Sequence, residues 1–406
     1  MKKGLCCILI LLLTVTMLAG LLTGCSSSST GSAKEATITI GVDTPLSGGA
    51  APWGLSEMHG VTLAADDFNA AGGLTVGGTH YTFKVEALDD AYDTAKTTNN
   101  IRQMIYTDGI KFMFTFQTEG SLALGKTLTN EKILNFTVVN DDNIIKQPDN
   151  AYTYRTYMGF SVQANDYVKW MAKTYPKAKS LAVLTTNDTN GNVTEGYAKK
   201  AAAAAGLTYL APVMYDGGTK DFTPFVTRIM AEKPDIILTI GDPTGDVGLI
   251  AKTLYGLKYA GIHATGIVGA ADLLPIAGQD AIEGMLTLNL PLIPPQVSNA
   301  VLGLPAREDA KWGAHYCCTW DFYSEAMIML DAMKQAKSVD PTVVKAKIDQ
   351  SGAKFVYAAL NGGTATFGSA ASNAVFGADG GHQVTNSWAI TIVKGGKDTI
   401  GAVISP

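Results

Sequence analysis

Two doubly wound α/β lobes on parallel sheets are what this sequence predicts, on three observations. From residue 36 onward short apolar runs alternate with longer amphipathic ones, the βα order that gives parallel sheets covered by helices on both faces. The strand candidates are too many for one open sheet, and Pro148-Asp149-Asn150 and the stretch 291–305, with Pro291, Pro294, Pro295 and Pro305, break the chain near plausible boundaries. With 406 residues, 47% hydrophobic and 17% charged, there is apolar material for two or three cores.

Taken in order, residues 37–43 alternate with period two as a strand, and 54–71 place Met58, Val61, Ala64, Ala65 and Phe68 on one helical face. Strand candidates follow at 80–88, 111–116, 132–138, 180–185, 208–214, 235–241, 262–268 and 284–290. Helix candidates between them are 93–107, 120–130, 160–175, 191–205, 221–232 and 244–256. Tyr316, Trp320, Tyr323, Met327 and Leu330 recur with helical spacing, and 341–350 reads as a further helix. The Gly/Ala/Ser-rich segment 361–381 reads as loops and short strands before a final strand pair around 388–393 and 399–404.

Composition excludes several function classes. Lys plus Arg total 31 against 36 Asp plus Glu, a net charge of -5 with no basic block, so nucleic acid is not an expected partner. The five Cys and five His are scattered without CxxC, HExxH or zinc spacing, so neither a metal nor another cofactor is expected.

At the start of the chain, Lys2 and Lys3 precede an apolar run over 5–22 interrupted by Thr14, Thr16 and Gly20, which fits a signal peptide better than a permanent anchor. The run ends in Leu22-Thr23-Gly24-Cys25, which resembles the lipobox of bacterial lipoproteins. That resemblance implies a signal peptide over 1–24, a lipidated Cys25 anchoring the protein to the cell membrane, and a Ser-rich tether over 25–35. The mature chain is then extracytoplasmic, in the periplasm or on the outer cell surface. Cys6 and Cys7 leave with the signal, and the adjacent Cys317 and Cys318 cannot form a conventional staple. They read as small packing residues on a helix.

Pro45-Leu46-Ser47-Gly48, then Gly54 and Gly60, then the run from Leu63 through Asp66-Asp67-Phe68-Asn69 to Gly72-Gly73, Val76-Gly77-Gly78 and Asp89-Asp90 resemble the opening of the branched-chain amino-acid-type periplasmic binding proteins. The likeness continues in Arg155-Thr156 and in Tyr323-Ser324-Glu325-Ala326, where the family often has Tyr-Asp-Ala, so it covers nearly all of the mature chain. It implies a type I two-lobed clamp with three crossover strands near 157–161, 287–292 and 361–367. Lobe 1 would comprise 36–157 plus 291–362, and lobe 2 158–290 plus 363–406. The implied function is capture of a small polar solute, an amino acid, amide or related compound, by a monomer that delivers it to the permease subunits of an ABC transporter. Binding rather than catalysis is expected. The alternatives are a ligand-sensing receptor subunit of a signalling system and an exported P-loop NTPase.

The NTPase alternative rests on Gly120-Ser121-Leu122-Ala123-Leu124-Gly125-Lys126-Thr127, which satisfies GxxxxGK[ST] after an apolar strand. The stretch is rich in Leu and Ala and reads as helix, whereas a phosphate cradle needs a loop up to the Lys. Ser351-Gly352-Ala353-Lys354 matches the SxxK signature of serine enzymes without its companion elements and reads as a helix end.

The resemblance also points to ligand loops. Trp53, in the loop after the first strand, stands where amino-acid binders often carry an aromatic lid. In Gln117-Thr118-Glu119-Gly120-Ser121 relatives commonly show Gly-Pro-x-x-Ser and hold a carboxylate on the Ser hydroxyl and helix-start N–H groups. Here Glu119 replaces that Ser, with Ser121 two residues on. Asn140 and Asp141 stand where small and hydroxyl residues surround the same carboxylate, and Asp141 is alternatively a cap for the following helix. Asn190 and Asp242 match positions that are often Tyr, and Val268 falls where a Glu receives the ligand ammonium. The zwitterion pocket is therefore broken at both ends, and acidic loops suit amine, amide or hydroxyl ligands better than leucine or valine.

Overall fold

The computed structural model describes residues 34–156, 159–289, 297–316, 318–360, 362–384 and 388–404. The lipobox cysteine Cys25, Cys317 and parts of all three expected crossings lie outside these residues. The first unit runs β1 (Lys34–Thr44), α1 (Ala51–Ala70), the hairpin β2 (Leu74–Val76) and β3 (Thr79–Asp89), α2 (Thr94–Tyr106), β4 (Phe112–Thr115), α3 (Thr118–Asn130), β5 (Leu134–Thr137) and β6 (Thr153–Arg155). Its sheet has the order β2-β3-β1-β4-β5-β6, parallel except for β2. Strands β4 and β5 are buried along their whole length, which is why they read as continuous apolar runs rather than alternating ones.

The second unit runs α4 (Phe160–Thr174), β7 (Ser180–Thr186), α5 (Thr189–Ala204), β8 (Thr208–Tyr209), β9 (Val213–Tyr215), α6 (Thr223–Ala231), β10 (Ile236–Thr239), α7 (Thr244–Gly256), β11 (Ile262–Ile267), α8 (Ala270–Ala277) and β12 (Leu286–Asn289). The expected single strand at 208–214 is two, because Pro212 has no N–H to give the ladder; β8 and β9 each pair β7, at different points. The chain then forms α9 (Leu304–Trp312), α10 (Thr319–Ala336), α11 (Pro341–Ile348), the short pair β13 (Phe355–Val356) and β14 (Thr364–Ala365), and α12 (Ala370–Phe376). The antiparallel pair β15 (Trp388–Lys394) and β16 (Lys397–Ile404) completes the second sheet in the order β16-β15-β12-β11-β10-β7-β8.

One boundary moves. Ala365, Phe367 and Val384 pack into the same core as Ile40, Phe114 and Phe136 of the first sheet, whereas the sequence placed residues from 363 onward in the second lobe. The Gly/Ser-rich composition of 361–381 hides this, since only a few apolar side chains carry the attachment. Within that first core α10 lies on α1, and α9 is held to α1 by a buried His59–Glu308 pair at 2.9 Å, with Trp312 stacked 3.7 Å from the His59 ring. Cys318 is buried between Val138 and Phe322 as a packing residue.

The P-loop pattern lies inside α3 from Gly120 to Thr127, so its backbone amides are committed to a helix and form no phosphate loop. Gly125 has a packing reason instead: a Cβ there would sit 1.9 Å from Asn150 Oδ1. Ser351 follows the end of α11 on a turn, and Lys354 lies just beyond it.

The first core also holds a set of buried carboxyls within electrostatic reach of one another: Asp43, Glu57, Asp90, Asp321 and Glu325. Burial, with Asp90 adding repulsion, pushes Asp43 up to about 9, and burial pushes Glu57 up to about 8. A carboxyl raised in the folded state binds its proton more tightly there than in the unfolded chain. Its stabilisation is complete below the ordinary carboxylate range of about 4 and is lost as pH rises through the folded values. The melting temperature should therefore fall from pH 6 to pH 9. Glu57→Gln should flatten that fall by up to about 1.4 kcal/mol per pH unit, and an identical slope in the variant would refute the assignment.

Candidate functional site

The carboxyl ends of the two sheets face one cavity of about 650 Å³, its mouth included. Its lining comes from the residues that follow strand after strand: Ala50 and Tyr92 after β1 and β3, Phe116 and Asn140 after β4 and β5, Asn190, Asp242 and Val268 after β7, β10 and β11. This is where ligands bind in doubly wound sheets, because the loops there diverge and leave backbone and side chains open to a shared crevice.

Of the residues singled out in the sequence, Trp53, Thr118, Asn140, Asn190, Asp242 and Val268 line the cavity. Trp53 lies in the first turn of α1 and not in a loop, because the helix starts earlier than its apolar period, with Pro52 in the first turn. Its ring is 6.1 Å from Phe116 and 6.3 Å from Phe322, edge-on to the latter. Asn190 donates to the carbonyl of Gly241 at 2.8 Å and accepts from Asn140 at 3.3 Å. Asp242 accepts from the Thr186 amide at 3.1 Å and from the Tyr215 hydroxyl at 2.9 Å through one oxygen; the other has no hydrogen-bond partner among the described residues. Burial raises its pKa well above the usual carboxylate range.

The other four do not line the cavity. Gln117 caps α3, its Oε1 accepting from the Gly120 amide at 2.6 Å. Asp141 caps the one-turn helix Asp142–Ile145, accepting from the Asn143 amide at 2.9 Å. Ser121 is buried inside α3. Glu119 reaches across to the second unit, where its Oε1 accepts from the Thr189 amide at the start of α5 at 2.8 Å, while its other oxygen is held by Gln117. In place of the expected ligand role, Glu119 makes a closure contact and Asp141 a cap, each carboxylate accepting from a helix-start N–H.

Aromatic residues absent from the sequence reading supply much of the wall: Tyr92, Phe116 and Phe160. Tyr92 and Ala91 both have left-handed backbone, φ 60° and 49°. Asp90 and Asp89 hold them there by accepting from the Tyr92 amide at 2.7 Å and the Ala91 amide at 2.9 Å. The Asp89-Asp90 motif was visible in the sequence, and its use as a bracket that turns Tyr92 into the cavity was the missing signal. Among the described residues no group of three His, Cys, Asp or Glu could hold a metal ion.

Among the described residues, hydrogen bonds that bridge the units at the cavity include Glu119 with Thr189, Asn140 with Asn190, Tyr197 donating to Asp142 at 2.8 Å, and the Gly245 amide donating to the Gly49 carbonyl at 3.3 Å.

Residues 37–398 match the sequence family described as periplasmic binding protein. The chain is 27% identical over 261 residues to the Leu/Ile/Val-binding protein BraC3 of Rhizobium johnstonii, covering 63% of this chain and 68% of that one. Its fold resembles that of a leucine-binding protein from Thermotoga maritima, with TM-score 0.74 and 19% identity over 91% of this chain and 99% of the other. A solute-binding protein of Rhodopseudomonas palustris in complex with 4-hydroxybenzoate matches with TM-score 0.73 and 21% identity, over 91% of this chain and 97% of the other.

Removing the Glu119 carboxylate should loosen the closed arrangement, since a hydrogen bond to a charged group contributes about 1.5–3 kcal/mol. Glu119→Ala is expected to speed hydrogen exchange at the Thr189 amide and enlarge the radius measured by small-angle scattering. Unchanged exchange and radius would show that the contact does not hold the units together.

Proposed function

The chain belongs to the periplasmic binding protein family, and we propose that it is the extracytoplasmic solute-binding subunit of an ABC transporter, closing two lobes over a small molecule and presenting it to a permease. The observation that carries this reading is the cavity itself. It is lined from both sheets at their carboxyl ends and bridged by hydrogen bonds from one unit to the other, so a bound molecule touches both halves and stabilises the closed form. Closure also removes water from around the ligand, which strengthens each polar contact inside.

The relatives give the range of solutes to try: branched-chain amino acids for the rhizobial and Thermotoga proteins and an aromatic acid for the Rhodopseudomonas protein. A thermal-shift screen of the purified mature domain against amino acids, amides, amines and aromatic acids tests the function. A true ligand at a hundredfold excess over its Kd adds about 2.7 kcal/mol of stability. It should also compact the protein in scattering; a panel in which no solute does either would count against solute capture.

We assign the membrane attachment to a lipid on Cys25, on the lipobox-like Leu22-Thr23-Gly24-Cys25 that ends the apolar run over 5–22. Cys25→Ala should abolish acylation and move the protein to the soluble fraction, and retention of the variant in membranes would overturn the lipoprotein assignment.

A further inference from the structure

The three helices that bring polar residues to the cavity start with the protein's own acids. At the start of α3, Gln117 takes the Gly120 amide and Glu119 stands in the first turn. The start of α5 is occupied by Asp188, which accepts from the Gly191 amide at 2.7 Å, and by Glu119 on the Thr189 amide. Helix α7 carries Asp246 in its first turn. Helix N-termini are the natural receptors for a ligand carboxylate, through free N–H groups and the positive end of the dipole. Here each of them is already offset by a carboxyl of the protein. The two other helices that open at the cavity, α1 and α4, present Trp53 and Phe160 there.

Among the described residues no Lys, Arg or His lines the cavity, whereas Asp242 does, at 8% exposure and with one oxygen unpartnered. Asp246 and Asp188 lie within electrostatic reach of Asp242. Tyr92, on the opposite wall, feels Asp188, Glu119, Asp90 and Asp242 together. Burial opposes ionisation of Asp242 while the cavity is empty, so the wall offers a carboxyl that a cation would ionise and pair with, and the rings of Trp53, Tyr92, Phe116 and Phe160 line the space beside it for an apolar body.

Resting on the solute-binding reading above, we propose that the solute is an organic cation without a free carboxylate: an amine, or an amino amide, whose apolar or aromatic body lies among Trp53, Tyr92, Phe116 and Phe160 and whose ammonium is drawn to the acidic wall that Asp242 heads. Such a ligand supplies the charge the wall lacks. A free amino acid would bring a carboxylate to helix starts already filled by acids, and an aromatic acid would do so without compensation.

Two ligand ladders with constant bodies test this by isothermal titration of the mature domain: phenylalaninamide, 2-phenylethylamine, phenylalanine and 3-phenylpropanoate, and the corresponding leucinamide, isoamylamine, leucine and 4-methylpentanoate. The amide or amine should bind about 10- to 100-fold more tightly than the amino acid with the same body, and the acids most weakly. Asp242→Asn keeps the acceptor for Thr186 and Tyr215 and should weaken the amine by a similar factor, while leaving the acid no weaker. Should that variant fail to fold, Asp246→Asn and the wild-type ladders decide. Leucine, phenylalanine or the acids binding as tightly as the amines would overturn the cation assignment and leave solute capture standing. Absence of binding across both ladders, with a different class giving compaction in the wider screen, would likewise overturn the ligand class alone; absence in the wider screen as well removes both.

Discussion

Arg155 ends β6 with none of its surface exposed, and its guanidinium distributes its donors over two separate pieces of chain. Nε meets the side chain of Gln383, Nη1 the carbonyls of Val139 and Asn140 at 3.2 and 3.3 Å, and Nη2 the Asp142 carboxylate at 2.8 Å, with the Phe376 ring 5.4 Å away. Burying a cation costs several kcal/mol, and the cost is met only when donors and counter-charge are satisfied together. A Lys, with a point charge and three donors, has no equivalent of this fork. Asp142 turns its second oxygen to Tyr197 of α5, so the same ion pair that shapes the loop after β5 also reaches the second unit. The approach is tight: a Cβ on Gly159 would lie 2.4 Å from Nη2 and 2.7 Å from Asp142 Oδ1.

The cavity inherits its shape from that hub. Asn140, whose carbonyl accepts from Arg155, is the residue whose side chain meets Asn190 across the cleft, and Gln383 returns the chain from the first core just before β15 enters the second sheet. The opposite rim is set by Asp89, which accepts from the Leu46 amide at 2.8 Å, from Ser47 Oγ at 2.6 Å and from the Ala91 amide, tying the loop after β1 to the turn that carries Tyr92. Both rims are fixed by carboxylates held in hydrogen bonds, Asp142 half-buried and Asp89 exposed, and neither needs a ligand to form.

The sheets were legible in the sequence because parallel strands buried on both faces leave apolar runs that side-chain period alone reveals, as in β4, β5 and β10. The short elements were not: β6 has three residues and α12 seven, too few for a period to show. At the site, Trp53, Thr118, Asn140, Asn190, Asp242 and Val268 line the cavity, while the direction taken by Glu119 and Asp141 was not legible. Glu119 and Asp141 each sit beside an unfilled helix-start amide, a local competitor that no residue pattern ranks against a cavity. Tyr92, Phe116 and Phe160 escaped for the opposite reason, since an aromatic next to a strand end reads equally well as core.

What distinguishes this site from one built for a zwitterion is the order in which its charges are satisfied. Glu119, Asp188 and Asp246 occupy or offset the helix starts before any ligand arrives, so their attraction for a ligand carboxylate is already used within the protein. Asp242 differs from them, because its hydrogen bonds to Thr186 and Tyr215 engage one oxygen only and its burial opposes ionisation. A cation entering the cavity reverses that balance, favouring the ionised carboxyl by direct attraction at the moment closure removes water. Binding and closure then reinforce each other: the charge pair is strongest in the dry, closed cavity, which the contacts from Glu119 to Thr189 and from Asn140 to Asn190 bridge.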